Sequence, residues 1–146
     1  GAQTLDYDRF CRQVTNHLFD ANYVTVVDSM KALEGELTKL ASDRMKQMGL
    51  IPPTTDELRA ISRQMDDSKS VSCVKFDEVT VGQPDTKTNF LPVDCKIHVV
   101  VHDSQGVKPS AFNIRYFVGL VMNKKTGASY PIVIDCSITE ARSNPQ

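Results

Sequence analysis

Apolar residues recur at every second position from Leu91 to Val101, mostly with polar residues between them. Leu91, Val93, Cys95, Ile97, Val99 and Val101 share one phase; Pro92, Asp94, Lys96, His98, Val100 and His102 share the other. A period of two sets the first group on one face of a strand. The same pattern predicts a strand over 110–123, with Phe112, Ile114, Tyr116, Val118, Leu120 and Met122 inward, and another over 129–140, with Tyr130, Ile132, Ile134, Cys136 and Ile138 inward. A strand over 70–81 precedes them, and its alternation changes phase between Cys73 and Val74, which predicts a bulge or bend there. Turns at Asp103–Gly106 and Asn123–Gly127 make the last three strands an antiparallel meander.

The first half of the chain has helical spacing instead. Leu5, Phe10, Cys11, Val14 and Leu18 predict a helix over 4–20, with Thr4 placed to cap it. Tyr23, Val26, Val27, Met30, Leu33, Leu37, Leu40 and Ala41 form a stripe that predicts one long helix over 22–48, with Gly35 a bend or packing point inside it. Gly49 and Pro52-Pro53 stop it. Thr54 and Glu57 form a T-x-x-E capping box for a third helix running to about Met65, with Leu58, Ile61 and Met65 inward. Helices first and antiparallel strands after predict an α+β fold: three N-terminal helices packed on a curved four-stranded antiparallel sheet.

Composition narrows the picture. At 146 residues and 40% apolar the chain is one domain, residues 1–146, with a real core. Residues 1–3 read as an expression remnant or linker and 141–146 as a tail. Seventeen basic and eighteen acidic residues argue against a dedicated nucleic-acid binder. No stretch approaches the roughly 18–20 apolar residues needed to span a bilayer, and no signal peptide is visible.

Candidate chemistry is sparse. Cys11, Cys73, Cys95 and Cys136 form no C-x-x-C pair, so neither a zinc site nor a thioredoxin-type motif is expected. Cys95 and Cys136 read as buried core thiols; an even count also permits one disulfide, between those two or between Cys11 and Cys73. His98 and His102 lie four apart on one strand, about 13 Å, too far to share a metal. His17 reads as a local surface contact near Asp20, and the acidic pairs Asp66-Asp67 and Asp77-Glu78 as solvated element ends. No nucleophile elbow, zinc-protease motif, dinucleotide fingerprint or P-loop occurs, so no catalytic residue, metal site or cofactor is assigned. A curved sheet under helices can enclose a cone-shaped pocket, and the only candidate base for one is Asp28, with Tyr116 or Tyr130 beside it. The outward sheet face is more suggestive. Lys96, His98 and His102 are expected near Asn113, Arg115 and Phe117, with Val133, Asp135, Ser137 and Thr139 on the last strand. Such a mixed face is either a contact surface or an ordinary scatter of exposed apolar residues.

Phe10–Leu40 for the helices, and Leu91–Val101, Asn113–Met122 and Tyr130–Glu140 for the strands, give a layout that resembles the nuclear-transport-factor-2-like fold. The run Asn-Ile-Arg-Tyr-Phe-Val-Gly-Leu-Val-Met-Asn-Lys-Lys-Thr-Gly at 113–127 is similar to a strand and hairpin in the periplasmic domains of VirB-type, TraE-type and DotI-type inner-membrane proteins of type IV secretion and conjugation machines. That resemblance implies a non-enzymatic scaffold on the periplasmic face of the inner membrane. It implies self-association, contact with other secretion-channel proteins, and a membrane anchor preceding the domain. Lys96, His98, His102, Arg115 and Phe117 are the candidate partner-facing residues. The alternatives are a small-molecule binder or isomerase-like enzyme of the same fold, and a partner-binding module of a trafficking factor.

Overall fold

The computed structural model describes residues 6–141; Thr4, Leu5 and the tail beyond Ala141 lie outside them. Four helices, α1 (Tyr7–Phe19), α2 (Val26–Glu34), α3 (Lys39–Gln47) and α4 (Thr55–Ser68), precede four strands, β1 (Val71–Val81), β2 (Leu91–Asp103), β3 (Gly106–Met122) and β4 (Ser129–Glu140). The strands form one antiparallel sheet in sequence order. The expected α+β class holds, with one helix more than the periodicity predicts.

α1 starts at Asp6, whose carboxylate accepts from the Arg9 N–H at 2.9 Å. Cys11, Val14, Thr15 and Leu18 carry its buried face. The expected helix over 22–48 is two helices. After Gly35 the chain leaves helical geometry, and Glu36–Thr38 runs along the edge of β4. There the Val133 N–H donates to the Glu36 carbonyl and the Thr38 N–H to the Val133 carbonyl, both at 2.9 Å. Thr38 then caps α3, accepting from the Ala41 N–H. α3 restarts in a new phase, so Ala41 and Met45 are buried while Leu40 is exposed. It ends as expected at Gly49, whose φ of +77° allows the Leu50 N–H to reach back to the Met45 carbonyl. Thr54 caps α4 through the Glu57 N–H at 3.1 Å.

Two bulges correct the expected strand phases. In β1 the extra residue is Asp77, not a residue at Cys73–Val74. Val74 and Phe76 therefore face the helices with Val79 and Val81, while Cys73 is outward and exposed. In β4 the extra residue is Ile134. Val133, expected outward, is fully buried, and Tyr130, expected inward, is exposed; Leu120 and Met122 keep the phase of Val118 but lie at the end of β3 and are exposed as well. Ile134 instead packs on the outer face, where a Cβ added at Gly119 would lie 3.0 Å from its Cγ1.

The core lies between the helices and the inner sheet face, with Leu33, Met45, Val93, Ile97, Ile114, Val118 and Val133 essentially inaccessible. Tyr116 sits fully buried at its centre. The Thr15 hydroxyl donates to the Cys11 carbonyl at 2.6 Å, so the Tyr116 hydroxyl is the donor in its 2.7 Å bond to Thr15. Burial drives the Tyr116 phenol well above its ordinary range. All four cysteines are free thiols. Neither suggested disulfide has the geometry: β3 separates Cys95 from Cys136, about 10 Å across two strand spacings, and Cys73 faces away from the helix that carries Cys11.

Candidate interaction surface

The outer sheet face holds the residues the sequence singles out. Lys96 stands opposite Glu78 on β1 and Asn113 on β3, and its ammonium lies 3.4 Å from the Glu78 carboxylate. Arg115 stands opposite Asp94 and Ser137. It grips Asp94 with both arms of the guanidinium fork, Nε at 2.7 Å and Nη2 at 3.1 Å. That pairing is the chief cause holding the Arg115 guanidinium above its ordinary value. His98 Nδ1 pairs with Asp77, which reaches it because it is the extra residue of the β1 bulge. The Lys96–Glu78 and Arg115–Asp94 pairs border an open trough of about 430 Å³ that runs across β1, β2 and β3 to Ser137 and Thr139 on β4.

The five candidate residues are not one cluster. Lys96, His98 and Arg115 share the ion-pair lattice. His102 sits at the far end of β2, opposite Val71 and Val107. Phe117 is half-buried at the other end, opposite Pro92 and beside the β4 bulge. The sequence reading missed the three carboxylates that partner the cations. Asp94 was in the outward phase already, so its cross-strand pairing with Arg115 followed from the register; Asp77 and Glu78 were hidden by the misplaced bulge.

The other titratable candidates fall elsewhere. Asp28 is exposed on α2, outside the core, so it cannot act as a base within the cone that Tyr116 fills. His17 does not pair with Asp20. Its Nδ1 donates at 2.6 Å to Glu36, which also accepts from Gln13 Nε2 at 2.7 Å. Glu36 is the one buried carboxylate among the described residues, at 7% exposure, and this clasp pins the α2–α3 link to α1. No group of three His, Cys, Asp or Glu among the described residues could hold a metal ion, and none of their helices is long and apolar enough to cross a membrane.

Four helices laid on a four-stranded antiparallel meander define the class: the fold is one found in type IV secretion proteins, the periplasmic domain of DotI among them. Two solved structures show the likeness in particular. The periplasmic domain of DotI superposes with a TM-score of 0.67 at 15% identity, covering 97% of this chain and 100% of that one. An IcmL-like type IV secretion system protein from Legionella pneumophila superposes with a TM-score of 0.66 at 10% identity, covering 99% of each chain. No family model and no curated protein sequence matches the chain.

Proposed function

We propose that this domain is a non-enzymatic assembly component of a type IV secretion or conjugation apparatus. It acts in the periplasm through contacts with copies of itself and with other channel proteins. One observation carries the reading: the likeness, over nearly the whole of each chain, to the periplasmic domain of DotI and to an IcmL-like type IV secretion system protein. The chemistry of the interior agrees with it, because the inner sheet face is filled by Val, Ile, Leu, Cys and the hydrogen-bonded Tyr116 and presents no carboxylate. The outer lattice around Lys96, His98 and Arg115 is the surface proposed to meet a partner, with Phe117 and His102 at its two ends. Exposed ion pairs add little stability of their own but set register and exclude wrong partners at an interface.

Sedimentation velocity across a concentration series tests self-association, and pull-down with the products of neighbouring genes tests the channel contacts. Lys96→Glu with Arg115→Glu should weaken association at least tenfold, about 1.4 kcal/mol, while leaving the circular dichroism spectrum unchanged. A strict monomer at high concentration that binds none of the co-encoded proteins would remove the proposal.

A further inference from the structure

α4 is amphipathic, yet none of its side chains is buried. Leu58 and Met65 are half-covered and Ile61 is 38% exposed. Where α4 leaves the body, a cleft of about 230 Å³ opens between α2, α3 and the α4 N-terminus. Its floor is apolar, with Met30, Leu33, Ile51 and Leu58. Its charged lining is one-sided: Lys31, Lys46 and Arg59 against the single carboxylate of Glu34. None of the three cations has an ion-pair partner among the described residues. The outer sheet face is built the opposite way, with Lys96, His98 and Arg115 each matched to a carboxylate. A local excess of two positive charges in a chain of net charge −1 is therefore confined to the mouth of an apolar cleft.

We propose that this cleft docks an acidic amphipathic segment of a partner protein, with one or two Leu-sized side chains on the floor and carboxylates on Lys31, Lys46 and Arg59. Charge complementarity selects the occupant. Cations around an apolar floor favour a carboxylate-bearing apolar segment over a basic one by both attraction and repulsion, and apolar anchors at helical spacing suit a groove between helices. The acidic stretches of this chain, Asp56-Glu57, Asp66-Asp67 and Asp77-Glu78, are held in α4 and β1, so they do not supply the segment. The inference rests on the reading of the domain as an assembly module, but it concerns a different face.

The probe is a fluorescein-labelled helical peptide of twelve residues with Leu at positions i, i+4 and i+7 and Glu on its polar face, followed by fluorescence anisotropy against the whole domain. Binding in the micromolar range that weakens at least tenfold in Lys31→Glu/Arg59→Glu is expected. The same peptide with Lys in place of Glu should not bind. Reversing the exposed Lys75, Lys87 and Lys125, which lie on other elements, should leave the affinity within twofold. If the double reversal does not fold, by circular dichroism, Lys31→Gln/Arg59→Gln takes its place with a smaller loss expected. Equal binding of the Glu and Lys peptides, or no change on reversal, overturns the proposal. Sedimentation of the same variants separates the two readings. Loss of self-association in Lys31→Glu/Arg59→Glu makes the occupant a second copy and overturns the partner assignment. A wild-type domain that never self-associates and binds no channel protein, yet binds the acidic peptide, removes the assembly reading and leaves the cleft.

Discussion

Tyr116 is the residue on which the core turns, and its hydrogen bond runs one way. The Thr15 hydroxyl is committed to the Cys11 carbonyl, so Tyr116 must donate to it. Tyr116→Phe removes a donor and leaves Thr15 satisfied. Thr15→Val leaves a fully buried phenol with no acceptor. Urea unfolding should therefore show Thr15→Val as the worse change, losing about 1–3 kcal/mol against about 1 kcal/mol for Tyr116→Phe; the reverse order would contradict this assignment. The thiols give a second prediction at the same scale. Burial pushes Cys95 and Cys136 up to about 11, and Cys11 higher still, from an ordinary value of 9.0. A thiol whose folded value is raised gives stability that is complete below 9 and lost as pH climbs toward the folded value, because only the unfolded chain sheds the proton. Urea midpoints should be flat near pH 8 and fall between 9 and 11, at up to about 1.4 kcal/mol per pH unit for each thiol. In the native domain at pH 8 a thiol reagent should label Cys73 alone.

At the scale of elements, the part that strand alternation and caps determine was legible. β2 needed no help from tertiary context, and Thr54 opens α4 and Gly49 closes α3 where their chemistry requires. The break between α2 and α3 was not legible, because its cause is 96 residues away: Glu36–Thr38 abandons the helix to bond with Val133. Gly35 and the capping Thr38 were local hints, but the apolar stripe ran through them and favoured one long helix. Strand phase failed for a related reason, since a bulge is set by the partner strand and by side chains such as Ile134 over Gly119. The outer cations could be found from phase alone; their carboxylates could not, because pairing needs the register. Glu36 supplies the element-scale prediction. Glu36→Ala strips His17 and Gln13 of their acceptor and loosens the link, which should speed amide exchange at Thr38 and Val133 selectively while β2–β3 amides stay protected. Uniform acceleration across the sheet would mean the link has no separate stability.

For the molecule as a whole, stability comes from the packed layer and owes nothing to cross-links, so adding reductant should leave the urea midpoint unchanged. A fall would reveal a disulfide between thiols that are free here. The two edge bridges have a geometric consequence. Ala21 pairs with Ser72 on the outer side of β1, and Leu37 with Val133 on the outer side of β4. Ser72 aligns through Val101 with Lys108, whereas Val133 aligns with Val118, so the two anchor points are displaced diagonally across the sheet. On a flat sheet that diagonal is about 41 Å, from strand spacings of about 4.8 Å and a rise of about 3.3 Å per residue. The chain from Ala21 to Leu37, nine of its residues in α2, would span about 41 Å only with its linkers drawn straight, and they are not: Asn22–Val26 is coiled by bonds from the Thr25 and Val26 N–H groups to the Asn22 carbonyl, and the Leu37 N–H still reaches the Leu33 carbonyl. So coiled, the tether is shorter than the flat diagonal, and the sheet must cup around the helices for both anchor points to be held at once.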